Sequence, residues 1–406
     1  MLYNWSMKIG IYGGTFNPLH NGHLAVAKAV LQCLNLDRVL LIVANDPPHK
    51  HDADRISGEV RLEMVEEGLE NEHKLFASDI ELKRGGVSYT VETLEHLCNE
   101  NKGSELYFIV GADMLENFPS WYEPERILKC ASLVAVGRLN GEGDMHEQHV
   151  KMERIAISIE QRFGGSVFVL KEYGPDISST QIRRAVENAC LISELVPIEV
   201  EKYIYTHLLY FDEKTRRIGE RLKARLDEER FEHTMLVARE AVMLAHRYGV
   251  DTKKARLAGM LHDCMKINHN DLIDYANAHG YVLSQTELDY PFTIHGRMGA
   301  ESAREEFGVC DEEILNAICH HTIGSTNMSA LDKIVFIADK IELSRNYKGV
   351  EELRAIAYRD IDLAVIAIMK NSAQFAIAKG SSVHPDTQKI IAALECEKIM
   401  RNNKKE

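Results

Sequence analysis

The sequence predicts an α/β, doubly wound parallel sheet followed by an all-α domain. Three observations carry this. Short apolar runs alternate with amphipathic helical stretches through the first half, the pattern of a parallel sheet covered by helices on both faces. A glycine-rich turn follows the first of these runs and opens a helix, which is where such sheets bind ligands. From about residue 212 onward almost only helical periodicity remains.

The strand-like runs fall at 9–12, 39–44, 75–79, 106–111, 133–137 and 167–170. Helical stretches at 24–34, 58–71, 89–101 and 149–163 lie between them. In the second half Ile218, Leu222 and Leu226 recur at helical spacing, as do Val237, Ala241, Leu244 and Ala245. The pattern changes near residue 207. The charged segment 211–217 contains neither Pro nor Gly and is the expected junction, giving domains of 7–207 and 213–400. A chain of 406 residues needs two or three domains. The last residues, 401–406, are expected to fray.

Composition narrows the function. A net charge of -14 argues against broad nucleic-acid binding, which relies on a basic surface. Small anionic substrates stay open, because local donors decide those. The eight cysteines are scattered without a C-x-x-C pair, which points to free thiols in a reducing cytoplasm. No run of about 18 apolar residues is expected to cross a membrane. The first six residues lack the basic patch of a signal peptide, and Met7 is a candidate natural start. A homo-oligomer is compatible with the sequence, which leaves assembly open.

The turn itself reads Gly13-Gly14-Thr15-Phe16-Asn17-Pro18-Leu19-His20-Asn21-Gly22-His23. Free backbone N–H groups and the positive end of the helix dipole converge there, which favours phosphate. It lacks the Lys-Ser/Thr pair of the common P-loop. A second segment, Ile177-Ser178-Ser179-Thr180-Gln181-Ile182-Arg183, follows the last strand-like run. Ser178 or Ser179 suits a helix N-cap, and the Arg183 fork matches phosphate oxygens. Taken singly, Ser-Ser-Thr is usually only a cap, and His-x-x-His at a helix start is more often structural. Their pairing after the first and last strands argues against accident.

These two segments resemble the H-x-G-H nucleotidyltransferase superfamily. Residues 8–207 more closely resemble bacterial nicotinate-nucleotide adenylyltransferase, through Pro47-Pro48-His49-Lys50, Ser88-Tyr89-Thr90-Val91-Glu92-Thr93-Leu94, Gly111-Ala112-Asp113 and Trp121. Asn17 stands where many relatives have Asp. The resemblance implies transfer of AMP from ATP to nicotinate mononucleotide, giving deamido-NAD and pyrophosphate, with Mg²⁺ bridging phosphate oxygens. It implies that Gly13, Thr15, Phe16, His20, His23, Ile177, Ser178, Ser179, Thr180 and Arg183 bind ATP, with His20, His23 and Arg183 catalytic. Lys50 would take the mononucleotide phosphate, and Thr90, Trp121 and Tyr122 the pyridine ring. Asp113 would contact a ribose or adenine edge. Core packing is a competing reading of Trp121. A pantetheine phosphate or nicotinamide mononucleotide acceptor is the alternative substrate.

The helical half carries His233, Leu261-His262-Asp263, His295, His320-His321 and Asp339. Histidine and carboxylate ligands suit transition metals. His233 shares a helix face with Val237, Ala241 and Leu244, and Asp339 ends the apolar run Ile334-Val335-Phe336-Ile337-Ala338. An Asp so placed is costly unless a charge compensates it, and a metal would. Lone histidines are usually surface or core residues, and His246, His269 and His279 are read that way.

The order H…HD…D resembles the HD-domain phosphohydrolases. Phe231-Glu232-His233-Thr234, Ile294-His295-Gly296, His321-Thr322-Ile323-Gly324 and Val383-His384-Pro385-Asp386-Thr387 resemble, more narrowly, the YqeK family. Glu342-Leu343 departs from the Glu-Pro expected there. The resemblance implies symmetrical cleavage of diadenosine tetraphosphate into two ADP by a dinuclear iron or other transition-metal centre. His233, His262, Asp263 and Asp339 would bind the first metal, with Asp263 catalytic. His295 and His321 would meet a second metal or the leaving ADP. Arg345 would grip phosphate, and His384 and Thr387 the nucleotide. His320 fits the family poorly and is left out. The alternatives are a regulatory nucleotide-binding module, or a hydrolase of guanosine alarmones or cyclic dinucleotides.

Overall fold

A computed structural model describes residues 6–45, 56–138 and 145–403, with backbone alone at 172, 173 and 400–403. The chain forms two compact units. The first comprises residues 1–184 and 192–203, the second 185–191 and 204–406.

Six strands form one parallel sheet: β1 (Lys8–Gly14), β2 (Arg38–Val43), β3 (Leu75–Ser78), β4 (Glu105–Gly111), β5 (Ser132–Arg138) and β6 (Val167–Gly174). Their spatial order is β3-β2-β1-β4-β5-β6. The helices up to residue 206 are α1 (Asn21–Cys33), α2 (Gly58–Gly68), α3 (Ile80–Arg84), α4 (Thr90–Glu100), α5 (Ala112–Asn117), α6 (Pro124–Cys130), α7 (Met145–Phe163), α8 (Ser179–Glu187) and α9 (Ile198–Thr206). The doubly wound fold read from the alternation is therefore present. Strand β4 buries five residues in succession, Leu106 to Val110, because helices cover both faces of a parallel sheet. Ile9, Ile11, Phe108, Val110, Leu133 and Ala135 pack with Leu94, Leu115, Ile127, Met152 and Ile159 in one core. Each fully buried Leu or Ile contributes about 1.5–3 kcal/mol.

The strand order matters for function. Chain direction across the sheet reverses between β1 and β4, whose register pairs Ile9 with Leu106 and Ile11 with Phe108. A crevice opens beyond the carboxyl ends of the strands at such a switch point. The turn 13–20 leaves β1 there, beside Val43, which pairs with Gly14, and next to Gly111 at the end of β4.

The second unit is helical: α10 (Glu213–Arg225), α11 (Glu228–Tyr248), α12 (Thr252–Leu261), α13 (His269–Ala278), α14 (Gln285–Asp289), α15 (Ile294–Glu305), α16 (Glu312–His320), α17 (Ala330–Ile341), α18 (Val350–Ala357), α19 (Ile361–Ala378) and α20 (Asp386–Asn403). Asp212, Asp227, Asp251 and Ser329 cap the amino ends of α10, α11, α12 and α17 with side-chain acceptors. Helices α11 and α17 are buried along most of their length and form the unit's centre. Arg256 is buried within this unit and binds the Val186 carbonyl at 2.5 Å and the Asp212 carboxylate at 2.8 Å.

Helix α19 bears on the expectation that no segment crosses a membrane. Its 18 residues, with a mean hydropathy of 1.4, meet the length and composition of a membrane span. Asp362 and Lys370 interrupt it, however, and Asp362 pairs with the buried Lys333 at 2.7 Å. Ala364, Val365, Ile366, Ile368 and Met369 are buried inside the unit, so these residues serve its core. All eight cysteines are free thiols.

Helices α11 and α12 approach closely at Gly259, where an added Cβ would lie 2.7 Å from the Ala238 Cα. Backbone cannot yield there as a flexible side chain would. Gly259→Ala is therefore expected to destabilise the helical unit by about 1–3 kcal/mol through overpacking. A matching fall in the midpoint of thermal unfolding checks it.

Candidate functional sites

The first site grows from the amino end of α1. His20 is the N-cap, with φ −145° and ψ 166°, and its Nδ1 accepts the His23 N–H at 3.3 Å. His23 Nδ1 accepts the His20 N–H at 3.2 Å, closing a reciprocal capping box. The two rings stack with centroids 3.5 Å apart. Both Nδ1 atoms act as acceptors, so a neutral ring carries its proton on Nε2. Gly22 makes room for this: a Cβ there would meet His20 Nδ1 at 2.9 Å.

The turn is held from two sides. Arg61, fully buried on α2, donates to the Thr15 carbonyl at 2.8 Å and to the Ile56 carbonyl at 3.3 Å. Phe16 adopts the left-handed region, φ 44°, and its ring meets His23 edge-on at 5.0 Å. From the other side, Ser179 Oγ donates to the Pro18 carbonyl at 3.0 Å and Arg183 Nη1 to the Asn17 carbonyl at 3.0 Å. Ser178 is the residue that caps α8, accepting the Gln181 N–H at 3.2 Å. Arg183 also reaches Thr180 Oγ1 at 3.4 Å, and Ile177 lies 3.5 Å from the Cβ position of Gly22. The two phosphate-type segments, 160 residues apart in sequence, thus meet at the switch point.

The residues read for the mononucleotide are less closely gathered. Thr90 begins α4 and Asp113 is exposed in the first turn of α5. Trp121 packs on Phe118 and Phe108, with ring centroids 5.5 and 6.0 Å away, at the margin of the core. Exposed Tyr122 instead pairs with Tyr89, 5.0 Å between centroids, and Tyr89 directly precedes Thr90. Lys50 lies outside the described residues.

The second site is a buried cluster within the helical unit. His233 comes from α11, His262 and Asp263 follow α12, His295 lies in the first turn of α15, His321 follows α16, and Asp339 lies in the last turn of α17. All six are buried. Donor atoms of His233, His262 and Asp339 lie within 4.8 Å of one another, as do those of His262, Asp263 and His321. His233 Nε2 is 3.1 Å from Asp339 Oδ1, and His295 Nε2 is 3.2 Å from Asp263 Oδ1. His262 Nε2 is buried with no hydrogen-bond partner among the described residues.

The ring nitrogens behind the cluster are tied. His262 Nδ1 donates to the Gly259 carbonyl at 2.7 Å and His321 Nδ1 to the Ile318 carbonyl at 2.6 Å. Each therefore presents an unprotonated Nε2 when neutral. Burial pushes His262 down to about 3 and His295 down to about 4, which keeps both neutral. Burial opposes the charge of Asp263, yet its carboxyl lies well below the usual carboxylate range, with the Arg230 guanidinium 2.9 Å away. Burial likewise opposes Asp339, which Lys340 and His233 hold well below that range. Neutral imidazoles at His262 and His295, ionised carboxylates and an orphaned inward nitrogen fit a divalent transition metal.

Cations surround this cluster, and several were missed in the sequence. Arg230 binds Asp263 at 2.9 Å, and Lys266 Nζ lies 3.1 Å from His295 Nε2. Burial lowers the Lys266 pKa. Arg345 reaches Asp339 Oδ1 at 3.1 Å and His233 Nε2 at 3.2 Å. Lys266 follows His-Asp by one helical turn, a spacing that could have flagged it. His384 packs its ring on Tyr290 at 4.9 Å, and the Thr387 N–H binds the His384 carbonyl. His320 pairs with Asp332 at 2.9 Å.

The cytidylyltransferase-like family profile matches residues 11–185 and the HD domain profile matches residues 230–344. The chain is thus a nucleotidyltransferase-type unit joined to an HD domain. It is 41% identical over 190 residues to a "Probable nicotinate-nucleotide adenylyltransferase" of Clostridium novyi, covering 47% of this chain and 92% of that one. A protein of the same description from Synechococcus is 37% identical, covering 50% of this chain and 95% of that one. Through its first half the chain belongs to the nicotinate-nucleotide adenylyltransferase family. The second half is similar to a solved "predicted HD superfamily hydrolase involved in NAD metabolism" from Clostridium acetobutylicum, 38% identical, covering 45% of this chain and 97% of that one, with a TM-score of 0.44.

Arg61 has a measurable consequence. Arg61→Met removes the donor to the Thr15 carbonyl and is expected to weaken ATP binding about tenfold, the loss of one charged hydrogen bond of about 1.5 kcal/mol. Calorimetric titration of the folded variant checks it. Unchanged affinity would mean that the turn keeps its shape without Arg61.

Proposed function

We propose that the chain is a bifunctional enzyme, with an adenylyltransferase within residues 7–207 and a metal-dependent phosphohydrolase within 213–400. The first joins ATP and nicotinate mononucleotide into deamido-NAD and pyrophosphate. The observation that carries this reading is the anchoring of Ser179 and Arg183 on the turn that holds His20 and His23. Relatives at 41% and 37% identity bear the corresponding family description.

The mononucleotide phosphate is itself the nucleophile in this reaction, so no protein nucleophile is needed. The protein must align two phosphates and offset charge developing on the α-phosphate. His20 and His23 donate through Nε2–H to ATP phosphate oxygens. Arg183, with Ser178 to Thr180, grips the leaving pyrophosphate, and the backbone of Gly13, Thr15 and Phe16 completes the cradle. Mg²⁺ shields the phosphate charges when bound. Tyr122 and Tyr89 offer the pyridine ring an aromatic face beside Thr90, and Trp121 supports it from the core margin.

The second unit hydrolyses diadenosine tetraphosphate symmetrically to two ADP. Its support is the convergence of His233, His262 and Asp339, with His262 Nε2 left for a metal. A pair of transition metals, iron by preference, would supply a water of lowered pKa at this centre. His233, His262, Asp263 and Asp339 hold the metal, and His295 and His321 complete the cluster. Arg345, Lys266 and Arg230 donate to phosphate oxygens, while His384 and Thr387 meet the nucleotide.

His23→Ala is expected to abolish deamido-NAD synthesis, a loss of about a hundredfold or more, and to leave tetraphosphate hydrolysis intact. Asp263→Ala should do the reverse. Both are read by product chromatography on the same folded preparations. Loss of both activities in either variant would overturn the two-site reading, and a metal-loaded chain that releases no ADP would favour a regulatory HD unit.

A further inference from the structure

Glu342 matches the Glu of the Glu-Pro pair expected at 342–343, and Leu343 alone departs from it. Glu342 is fully buried at the carboxyl cap of α17, three residues after Asp339. Its Oε1 lies 3.0 Å from His233 Nδ1. Its other oxygen accepts the Ser344 N–H at 2.6 Å, Ser344 Oγ donates to Oε1 at 2.6 Å, and Arg345 Nε approaches Oε1 at 3.4 Å. The carboxylate is thereby pinned on three sides, with one oxygen aimed at the back of the His233 ring. An ionised carboxylate only accepts, so Nδ1 keeps its proton against Glu342, while Nε2, 3.1 Å from Asp339 Oδ1, is the nitrogen to be freed when a metal binds.

Three of the cluster's four histidines are tied at Nδ1 by an acceptor, and they differ in what that acceptor is. Backbone carbonyls orient His262 and His321, through Gly259 and Ile318. His233 alone of the three is backed by a formal negative charge. A carboxylate behind an imidazole raises its basicity and its hold on a metal. A cation draws on the carboxylate of each ligand set, Arg230 on Asp263 at 2.9 Å and Arg345 on Asp339 at 3.1 Å, so the charge behind His233 is what sets the two apart.

We propose that Glu342 is a positioning residue that makes the His233–His262–Asp339 position the tighter metal site of the cluster. The inference rests on the metal-centre reading above. It assigns Glu342 no contact with metal or substrate. Its effect passes through the orientation and basicity of His233.

The test titrates the full metal-free chain with Mn²⁺ and follows free Mn²⁺ by its paramagnetic resonance signal. The wild type is expected to bind one Mn²⁺ more tightly than any second. Glu342→Ala removes both the charge and the acceptor, and is expected to weaken the tight step by about 10–100-fold. Glu342→Gln keeps an acceptor of the same size without the charge, and should fall between the two. Circular dichroism and the unfolding midpoint of the metal-free proteins report folding separately. A purely structural Glu342 would lower that midpoint and leave Mn²⁺ affinity unchanged. Unchanged affinity in a folded Glu342→Gln or Glu342→Ala chain overturns this inference alone. A wild type that binds no Mn²⁺ overturns the metal-centre reading, and this inference with it.

Discussion

The hydrogen bond at histidine Nδ1 is the constraint on which both sites depend. In the first unit, His20 and His23 accept each other's backbone N–H groups at Nδ1. Their Nε2 atoms are then donors, suited to phosphate oxygen. In the second unit the sense is reversed: His262, His321 and His233 donate from Nδ1 to two carbonyls and a carboxylate. Their Nε2 atoms, in the neutral rings, are then acceptors suited to a metal. One side-chain type serves two chemistries, and the group behind the ring decides which.

This explains how much of the protein was legible in its sequence. The sheet was legible because each parallel strand is buried on both faces and reads as an apolar run, as in Leu106 to Val110. The two motif segments were legible because helix caps and glycines act locally. His233 and Asp339 were legible because a polar group on an apolar helix face requires compensation. What stands behind these residues was not. Gly259 and Ile318 orient histidines through their carbonyls, which carry no side-chain signature. Glu342 looks like any acidic residue at a helix end until α11 packs against α17. Arg61 reads as one more charge on an amphipathic helix, although it is fully buried against the Thr15 carbonyl. Trp121 shows the limit from the other side: its type suggested stacking, and its neighbours Phe108 and Phe118 draw it toward the core.

Charge organises the second site beyond its histidines. Asp263, Asp339 and Glu342 are three carboxylates buried within one cluster, and each is held ionised against the cost of burial. The compensation is local: Arg230 for Asp263, Lys340 for Asp339, and Arg345 shared between Asp339 and Glu342. A chain of net charge -14 thus concentrates cations around one small volume. A stable core alone gives no reason for this, since burying ion pairs is close to neutral or unfavourable against apolar packing. The proposed polyphosphate substrate would give one. Its outer oxygens would take the cations, and carboxylates paired with guanidinium groups could exchange those partners for metal and phosphate without leaving a charge buried alone.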